Sequence, residues 1–288
     1  MLASLLVVFR EVLEAGLIVG VILAATEGIR GRALWIWSGL GAGVAGAGLV
    51  AFFAQSLSDA FAGSGQEVFN AGILIAAVVM LSWHTIWMAR HAREMTRELR
   101  TLGGAVASGE RTLFAMAVVV AVAVLREGSE VVLFLFGIAA SGGAQPQAML
   151  AGGAAGVALG AFLAWLIYRG LLAIPAGRLF SVTNGLIALL AAGMAGQAAT
   201  HLARADIVPT LGDEIWDTSR LLPDDGLLGR ALHALVGYSD RPMGVQILAY
   251  LAVLAALVIL GRLVGGARAK GDDAPKLGGA GEPGAVSR

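Results

Sequence analysis

The sequence predicts an all-α integral membrane protein with seven transmembrane helices. Of its 288 residues, 58% are hydrophobic and only 14% are charged, whereas soluble domains carry roughly 25% charged residues. Seven apolar stretches each supply the about 20 residues that a membrane-spanning helix needs. These stretches lie at 2–25, 34–55, 68–89, 113–140, 147–168, 179–200 and 243–264.

Composition excludes several classes of function. The formal net charge is zero, so the chain has no overall basic field that would attract nucleic acid. It has no cysteine, which excludes disulfides, thiolate metal ligands and thiol redox chemistry. Glycine is frequent, with 41 residues, and small residues let membrane helices approach closely.

The distribution of Lys and Arg predicts the orientation in the membrane. Segments 56–67 and 141–146 contain neither residue, and segment 201–242 has more acids than bases. Because basic loops stay in the cytoplasm, we expect the N-terminus outside and the C-terminus inside a bacterial cytoplasmic (inner) membrane. The basic segments, which fall on one side if seven helices alternate, are 26–33, 90–112, 169–178 and the C-terminal tail.

We expect a single transporter domain at 1–266 and a disordered, Gly-, Ala- and Pro-rich cytoplasmic tail at 267–288. Within the external loop at 201–242, apolar residues recur at helical spacing over 228–235, which predicts a short helix on the membrane or over the pore. Charges of alternating sign at 93–100 predict that the third helix continues into the cytoplasm.

Two parts of the chain repeat each other. Residues 9–14 and 125–130 both contain Arg-Glu-x-x-Glu within an apolar helix. Three helices per copy would bring the second copy into the membrane from the opposite side, as in the inverted repeats of many transporters. We therefore expect a 3+3 inverted-topology repeat, about 1–90 and 113–204, plus a seventh helix at 243–264; chance similarity of glycine-rich helices is the alternative. Downstream matches at a constant offset are Gly39 with Gly152, Gly43 with Gly156, Ala47 with Gly160 and Gly72 with Gly185.

The chemistry lies in these two charged pentads, Arg10 to Glu14 and Arg126 to Glu130. Glutamates spaced i, i+3 share one helix face, and each arginine can reach the glutamate at i+4. A charged residue at the centre of a membrane helix costs roughly 2.5–3.5 kcal/mol on insertion scales. We therefore expect all six charged side chains to face the bundle interior and to interact with one another.

A buried Arg–Glu network that only fixes helix packing is one explanation of the pentads. It accounts less well for the second glutamate of each copy, because two arginines leave two of the four carboxylates unpaired. A bound cation would neutralise them. Oxygen ligands suit hard cations such as ferric or ferrous iron, manganese or magnesium.

At this point the sequence resembles the FTR1 family of iron permeases, whose pattern is R-E-G-L-E. The resemblance covers about residues 1–265 and includes Gly237, Tyr238 and Pro242 before the last helix. It implies a transporter that imports iron as Fe(III) or Fe(II), with no prosthetic group and no catalysis by the chain. It also implies an extracytoplasmic ferroxidase-like or peroxidase-like partner. By resemblance, the proposed metal ligands are Glu11, Glu14, Glu127 and Glu130, and their charge partners are Arg10 and Arg126.

Two positions depart from the family pattern. Val12 replaces the glycine of the first copy and removes the backbone freedom that glycine would give. Ser129 replaces the leucine of the second copy and adds a further oxygen that a metal could use. Neither change removes a charge, but the metal preference can differ from that of the family.

Weaker signals concern the path of the metal. We expect His84, beside Trp83, to belong to an interfacial aromatic belt; a place on the exit path, as ligand or proton relay, is the alternative. Asp213, Glu214 and Asp217 are expected to be solvated loop carboxylates, with concentration of cations at the entrance as the alternative.

Two other functions compete with iron import. The first is transport of another divalent metal, such as manganese or lead. The second is a membrane di-iron carboxylate enzyme, although neither pentad carries the Glu-x-x-His of soluble di-iron bundles. The oxidation state of the metal, the driving force and the oligomeric state do not follow from the sequence.

Overall fold

The computed structural model describes residues 1–60, 65–141, 145–170, 176–224 and 226–272. Within these ranges the chain is all-helical, as predicted, with no strand. Seven long helices and one short helix follow one another: α1 (Leu2–Ala25), α2 (Arg32–Ala60), α3 (Gln66–Ala107), α4 (Leu113–Ala140), α5 (Pro146–Tyr168), α6 (Ala176–Arg204), α7 (Leu227–Val236) and α8 (Gly244–Asp272).

Five segments of the described chain are long and apolar enough to cross a membrane. Helices α1 and α4 are long enough, with 24 and 28 residues, but each carries three charged side chains at its middle. The number of crossings therefore stays a prediction. The five segments are Arg32–Ser58, Gln66–Trp87, Pro146–Tyr168, Thr183–Arg204 and Gly244–Leu263.

The smaller predicted elements are also present. The short helix predicted within segment 201–242 is α7, which ends at Gly237 in the left-handed conformation, with φ 67°. The third helix extends through the charged stretch to Ala107, as predicted. Helix α8 continues to Asp272, past the predicted start of the tail at residue 267, and residues 273–288 lie outside the described chain.

Glycines set the distance between α1 and α5. A Cβ atom at Gly156 would lie 2.8 Å from the Leu5 carbonyl oxygen, and one at Gly160 would lie 3.0 Å from Val12 Cβ. Only glycine allows this approach of the two backbones, as is usual where membrane helices pack closely. Contacts proceed in the same order along both helices, from Gly152 near Met1 to Gly20 near Tyr168, so α1 and α5 are parallel.

The α2–α4 pair uses equivalent positions of the other repeat. Gly43 contacts Ala121 and Val124 of α4. At the next matching position Ala47 of α2 faces Gly128 of α4, whereas Gly160 of α5 faces Val12 of α1. Counted from the pentad arginines, Val12 and Gly128 are equivalent. The larger side chain thus lies on the pentad helix in the α1–α5 pair and on the other helix in the α2–α4 pair. This exchange gives a packing reason for Val12 where the family pattern has glycine, because Gly160 opposite leaves room for it.

The two hydrophobic clusters show how α1 and α4 are oriented relative to each other. Ala3 at the start of α1 shares one cluster with Ile138 at the end of α4. Ile22 near the end of α1 shares the other with Met116 at the start of α4. Helices α1 and α4 are therefore antiparallel, and their middle turns, which carry the pentads, lie between the two clusters.

The glycine contacts predict that replacing glycine by alanine has different effects on stability at two positions of α5. Gly156→Ala should lower the melting temperature of the purified protein in detergent, because the added methyl meets the α1 backbone and overpacking costs about 1–3 kcal/mol. Gly153→Ala is the matched control, since its Cβ would lie 4.0 Å from the nearest side chain. Alanine is favoured over glycine in helices by about 0.8–1.0 kcal/mol, so the control should be neutral or stabilising. Equal effects of the two changes would contradict this packing.

Candidate metal site

The two pentads meet at the centre of the bundle. Helices α1 and α4 present their charged faces to each other, and α3 packs against both. Five of the six pentad side chains are buried, as predicted, while Arg126 is half-exposed. The buried members are Arg10, Glu11, Glu14, Glu127 and Glu130.

In the first pentad, one arginine holds both glutamates. Arg10 Nη1 donates a hydrogen bond to Glu11 Oε1 at 2.7 Å, and Arg10 Nη2 lies 3.0 Å from Glu14 Oε1. The Arg10 side chain is only 1% exposed. Each of the two carboxylates thus has one oxygen compensated by the guanidinium and one that faces elsewhere.

The second pentad is arranged differently. Arg126 Nε lies 3.3 Å from Glu130 Oε1 but 3.9 Å from Glu127 Oε1, and its side chain is 39% exposed. Its guanidinium carbon lies 4.7 Å from the centroid of the Trp87 ring, a cation–π contact. Trp87 in turn stacks on His91, with 5.0 Å between ring centroids. Identical motifs in the sequence therefore have different charge compensation in the structure.

His84 lies between the two pentads. Its Nε2 is 3.0 Å from Glu14 Oε2 of α1, and its Nδ1 is 2.6 Å from Glu130 Oε2 of α4. The expectation that His84 belongs to the aromatic belt is wrong, because the residue is only 1% exposed. Trp83 occupies the outer face of α3 and is 72% exposed. The signal for His84 was its helical spacing from the buried residues Leu74, Ala77 and Leu81.

Three buried carboxylate oxygens have no hydrogen-bond partner. They are Glu11 Oε2, Glu127 Oε2 and Glu130 Oε2; the last of these lies 2.6 Å from His84 Nδ1, an ion-pair contact. Burying a polar group without a partner costs about 1–3 kcal/mol, and more when the group is charged. One donor atom each of Glu11, His84, Glu127 and Glu130 lies within 4.8 Å of the other three. Four donor atoms this close together could bind one cation, and we call these four residues the central cluster.

Apolar side chains cover the central cluster at both ends. Toward the start of α1, Val7 and Phe134 are fully buried. Toward the end of α1, Ile22 and Val120 are fully buried. Beyond the first of these seals lies a cavity of about 940 Å³, lined by residues of α1, α4, α6, α7 and the start of α8. A cation in the central cluster is thus separated from this cavity by packed side chains.

A second ion pair lies at the wall of the cavity and was not predicted. His201 of α6 contacts Glu67 of α3 through Nδ1 and lies 2.9 Å from the Ala140 carbonyl oxygen through Nε2. His201 is buried, with only 8% of the residue exposed.

The remaining sequence candidates lie outside the central cluster. Ser129 donates its hydroxyl to the Leu125 carbonyl oxygen at 2.7 Å, within its own helix. Asp213, Glu214 and Asp217 are exposed in the external segment. Arg241 lies 3.3 Å from Asp217 and 3.9 Å from Glu214. Hydrogen bonds from Ser219, followed in importance by the charge of Arg241, lower the pKa of the Asp217 carboxyl.

Comparison with known proteins gives one consistent result. The model of the Iron permease FTR1 family matches residues 1–268. A ferrous iron permease EfeU of Escherichia coli O6:H1 (strain CFT073) is 30% identical over 248 residues, which cover 84% of this chain and 88% of the relative. A ferrous iron permease EfeU of Yersinia pestis is 28% identical over 268 residues, or 90% and 93% of the two chains. No solved structure matches.

The difference between the two arginines predicts different effects on stability. Arg10→Met should lower the free energy of unfolding by about 3–5 kcal/mol, because it leaves buried carboxylates uncompensated. Arg126→Met should lower it less, since that side chain is 39% exposed and lies 3.3 Å from Glu130 and 3.9 Å from Glu127. The measurement is denaturant unfolding of both variants in the same detergent. A larger loss for Arg126→Met would contradict the charge distribution described above.

Proposed function

Because this chain belongs to the iron permease FTR1 family, we propose that it imports iron across the cytoplasmic membrane of a bacterium and binds it at the pentads of α1 and α4. The relatives are named ferrous iron permeases, which supports Fe(II) as the transported form. Iron is the substrate of the chain and not a resident cofactor.

The observation that carries this proposal is the set of three buried carboxylate oxygens without hydrogen-bond partners. They belong to Glu11, Glu127 and Glu130. Four carboxylates share this interior with two guanidinium groups, so the site has room for added positive charge. A divalent cation would supply that charge and give the free oxygens a ligand role. A network that only fixed helix packing would not need these oxygens free.

The helix directions support seven crossings in an inverted repeat. Helices α1 and α4 begin the two repeats and are antiparallel, so the second repeat enters the membrane from the opposite side. Gly196 of α6 contacts Gln246 at the start of α8, and Ala188 lines a cavity with Leu257 further along it. Helix α8 is thus antiparallel to α6, which supports chain ends on opposite sides of the membrane, with the basic loops inside.

Transport would then follow from alternating exposure of one central site. Iron enters from the external side through the large cavity near the start of α1 and passes the apolar seal around Phe134. It leaves inward past the seal around Ile22. Rocking of one repeat against the other opens one seal at a time, as in other inverted-repeat transporters. An external iron-handling partner, implied by the family, stays a prediction.

Glutamine at the central cluster tests the proposal. Glu11→Gln and Glu127→Gln keep the size of the side chain but remove a charged ligand. Each should lower the initial rate of Fe(II) uptake into proteoliposomes at least tenfold. Substitution of a residue that only supports a metal ligand already lowers metal affinity or activity by about 10–100-fold. The assay is anaerobic, uses radioactive iron, and includes manganese and lead as competitors.

Glu110→Gln is the matched control, because Glu110 is exposed in the loop between α3 and α4. It should transport like the wild type. Uptake that is unchanged in both cluster variants, with each eluting as folded protein on size exclusion, would overturn the assignment of the site. Wild-type protein that transports lead or manganese but no iron would overturn the assignment of the substrate.

A further inference from the structure

The four pentad glutamates are not equivalent, because Glu14 has both oxygens occupied. Oε1 lies 3.0 Å from Arg10 Nη2, and Oε2 lies 3.0 Å from His84 Nε2. The other three glutamates each keep one oxygen without a hydrogen-bond partner. Glu14 is also absent from the group of donor atoms within 4.8 Å of one another, whereas His84 is present.

The hydrogen bonds of His84 indicate which ring nitrogen faces the cluster. Nε2 faces a carboxylate, which only accepts, so Nε2 carries a proton and donates to Glu14. Nδ1 lies 2.6 Å from Glu130 Oε2, a separation at which a nitrogen lone pair and a carboxylate oxygen would repel each other, so a proton lies between them. A cation bound at the central cluster would take the place of this proton and use the Nδ1 lone pair, while Nε2 keeps its hydrogen bond to Glu14.

This arrangement is the one that metal-binding histidines adopt. Such a histidine binds the metal with one nitrogen and donates its other N–H to a carboxylate, which fixes the tautomer and the ring orientation. Here Glu14 is in the position of that carboxylate, and Arg10 holds Glu14 in place. His84 is only 1% exposed, so its packed neighbours leave the imidazole little freedom to turn away.

We propose that His84 is a direct iron ligand, together with Glu11, Glu127 and Glu130, and that Glu14 orients His84 instead of binding the metal. The inference rests on the proposed function and changes its ligand set from four carboxylates to three carboxylates and one imidazole. It also adds a third helix to the site, since His84 belongs to α3.

The nitrogen ligand has a consequence for metal preference. Imidazole suits iron, zinc and nickel, whereas sites with oxygen ligands alone suit magnesium, calcium and manganese. One histidine among carboxylates therefore favours Fe(II) over the more abundant Mg(II) and Ca(II). The equivalent position of the second repeat is Gln197, which lines the external cavity instead, so the site has one such nitrogen and is asymmetric.

Pulsed EPR of Mn(II) bound to the purified full-length protein tests the ligand directly. Mn(II) serves as the paramagnetic probe, and an imidazole ligand adds a nitrogen-14 modulation to its spin echo. We expect this modulation in the wild type, its loss in His84→Gln, and its retention in His201→Gln, the control for the other buried histidine. Glu14→Gln should keep the modulation while weakening Mn(II) binding by roughly 10–100-fold, as substitution of an outer-shell partner does.

Fe(II) uptake by the same proteins separates this inference from the proposed function. For His84→Gln we expect the apparent KM for Fe(II) to rise at least tenfold and inhibition by excess Mg(II) to become stronger. Wild type that transports iron but shows no nitrogen modulation, or a His84→Gln variant with unchanged KM and unchanged inhibition, would overturn the role of His84 and leave the permease intact. Wild type that neither binds Mn(II) nor transports Fe(II) would overturn both.

Discussion

Burial of five of the six charged pentad side chains in the middle of an apolar bundle is the constraint on which this structure depends. Removing a charge from water is expensive, and the loss is recovered only when partners are close and well placed. Helices α1, α3 and α4 must therefore meet where Arg10, His84 and Glu130 lie. The two apolar clusters, one toward each end of α1, keep the charged layer dry and in register.

Close helix packing makes that meeting possible. A glycine-rich helix lies directly on each pentad helix, α5 on α1 and α2 on α4. The two halves of the chain are thus joined by reciprocal contacts and not by packing within each half alone. The contacts also differ in one detail, because Val12 faces Gly160 where Gly128 faces Ala47. Such exchanges allow a duplicated unit to become asymmetric while its shape is kept.

The two pentads differ most in the surroundings of their arginines. Arg10 is enclosed and holds two carboxylates, whereas Arg126 is 39% exposed and contacts Trp87. A transporter must bind its cation without holding it permanently, so one enclosed and one less enclosed counter-charge suit the task. The enclosed arginine sets the geometry of Glu14 and, through it, of His84.

Much of this arrangement could be predicted from the sequence. Apolar length located all seven long helices, with the α1 and α4 boundaries as expected, because lipid imposes a minimum length on each. The repeated pentads identified the charged layer, since so many charges in apolar helices must interact. A ligand role for His84 was only the alternative to a place in the aromatic belt, because its neighbour Trp83 suggested an interfacial position. Only packing against α1 and α4 shows which face of α3 is inward. The ion pair between Asp217 and Arg241 was likewise not predicted, because the two residues lie far apart in the sequence.

Diffraction from crystals soaked anaerobically in Fe(II), with data collected on both sides of the iron absorption edge, tests the central claim most directly. The account predicts an anomalous peak enclosed by Glu11, Glu127, Glu130 and His84, the residues whose donor atoms lie within 4.8 Å of one another. An anomalous peak found only in the external cavity, beside Glu67 and His201, or no ordered iron in protein that transports it, would contradict a buried carboxylate–histidine site.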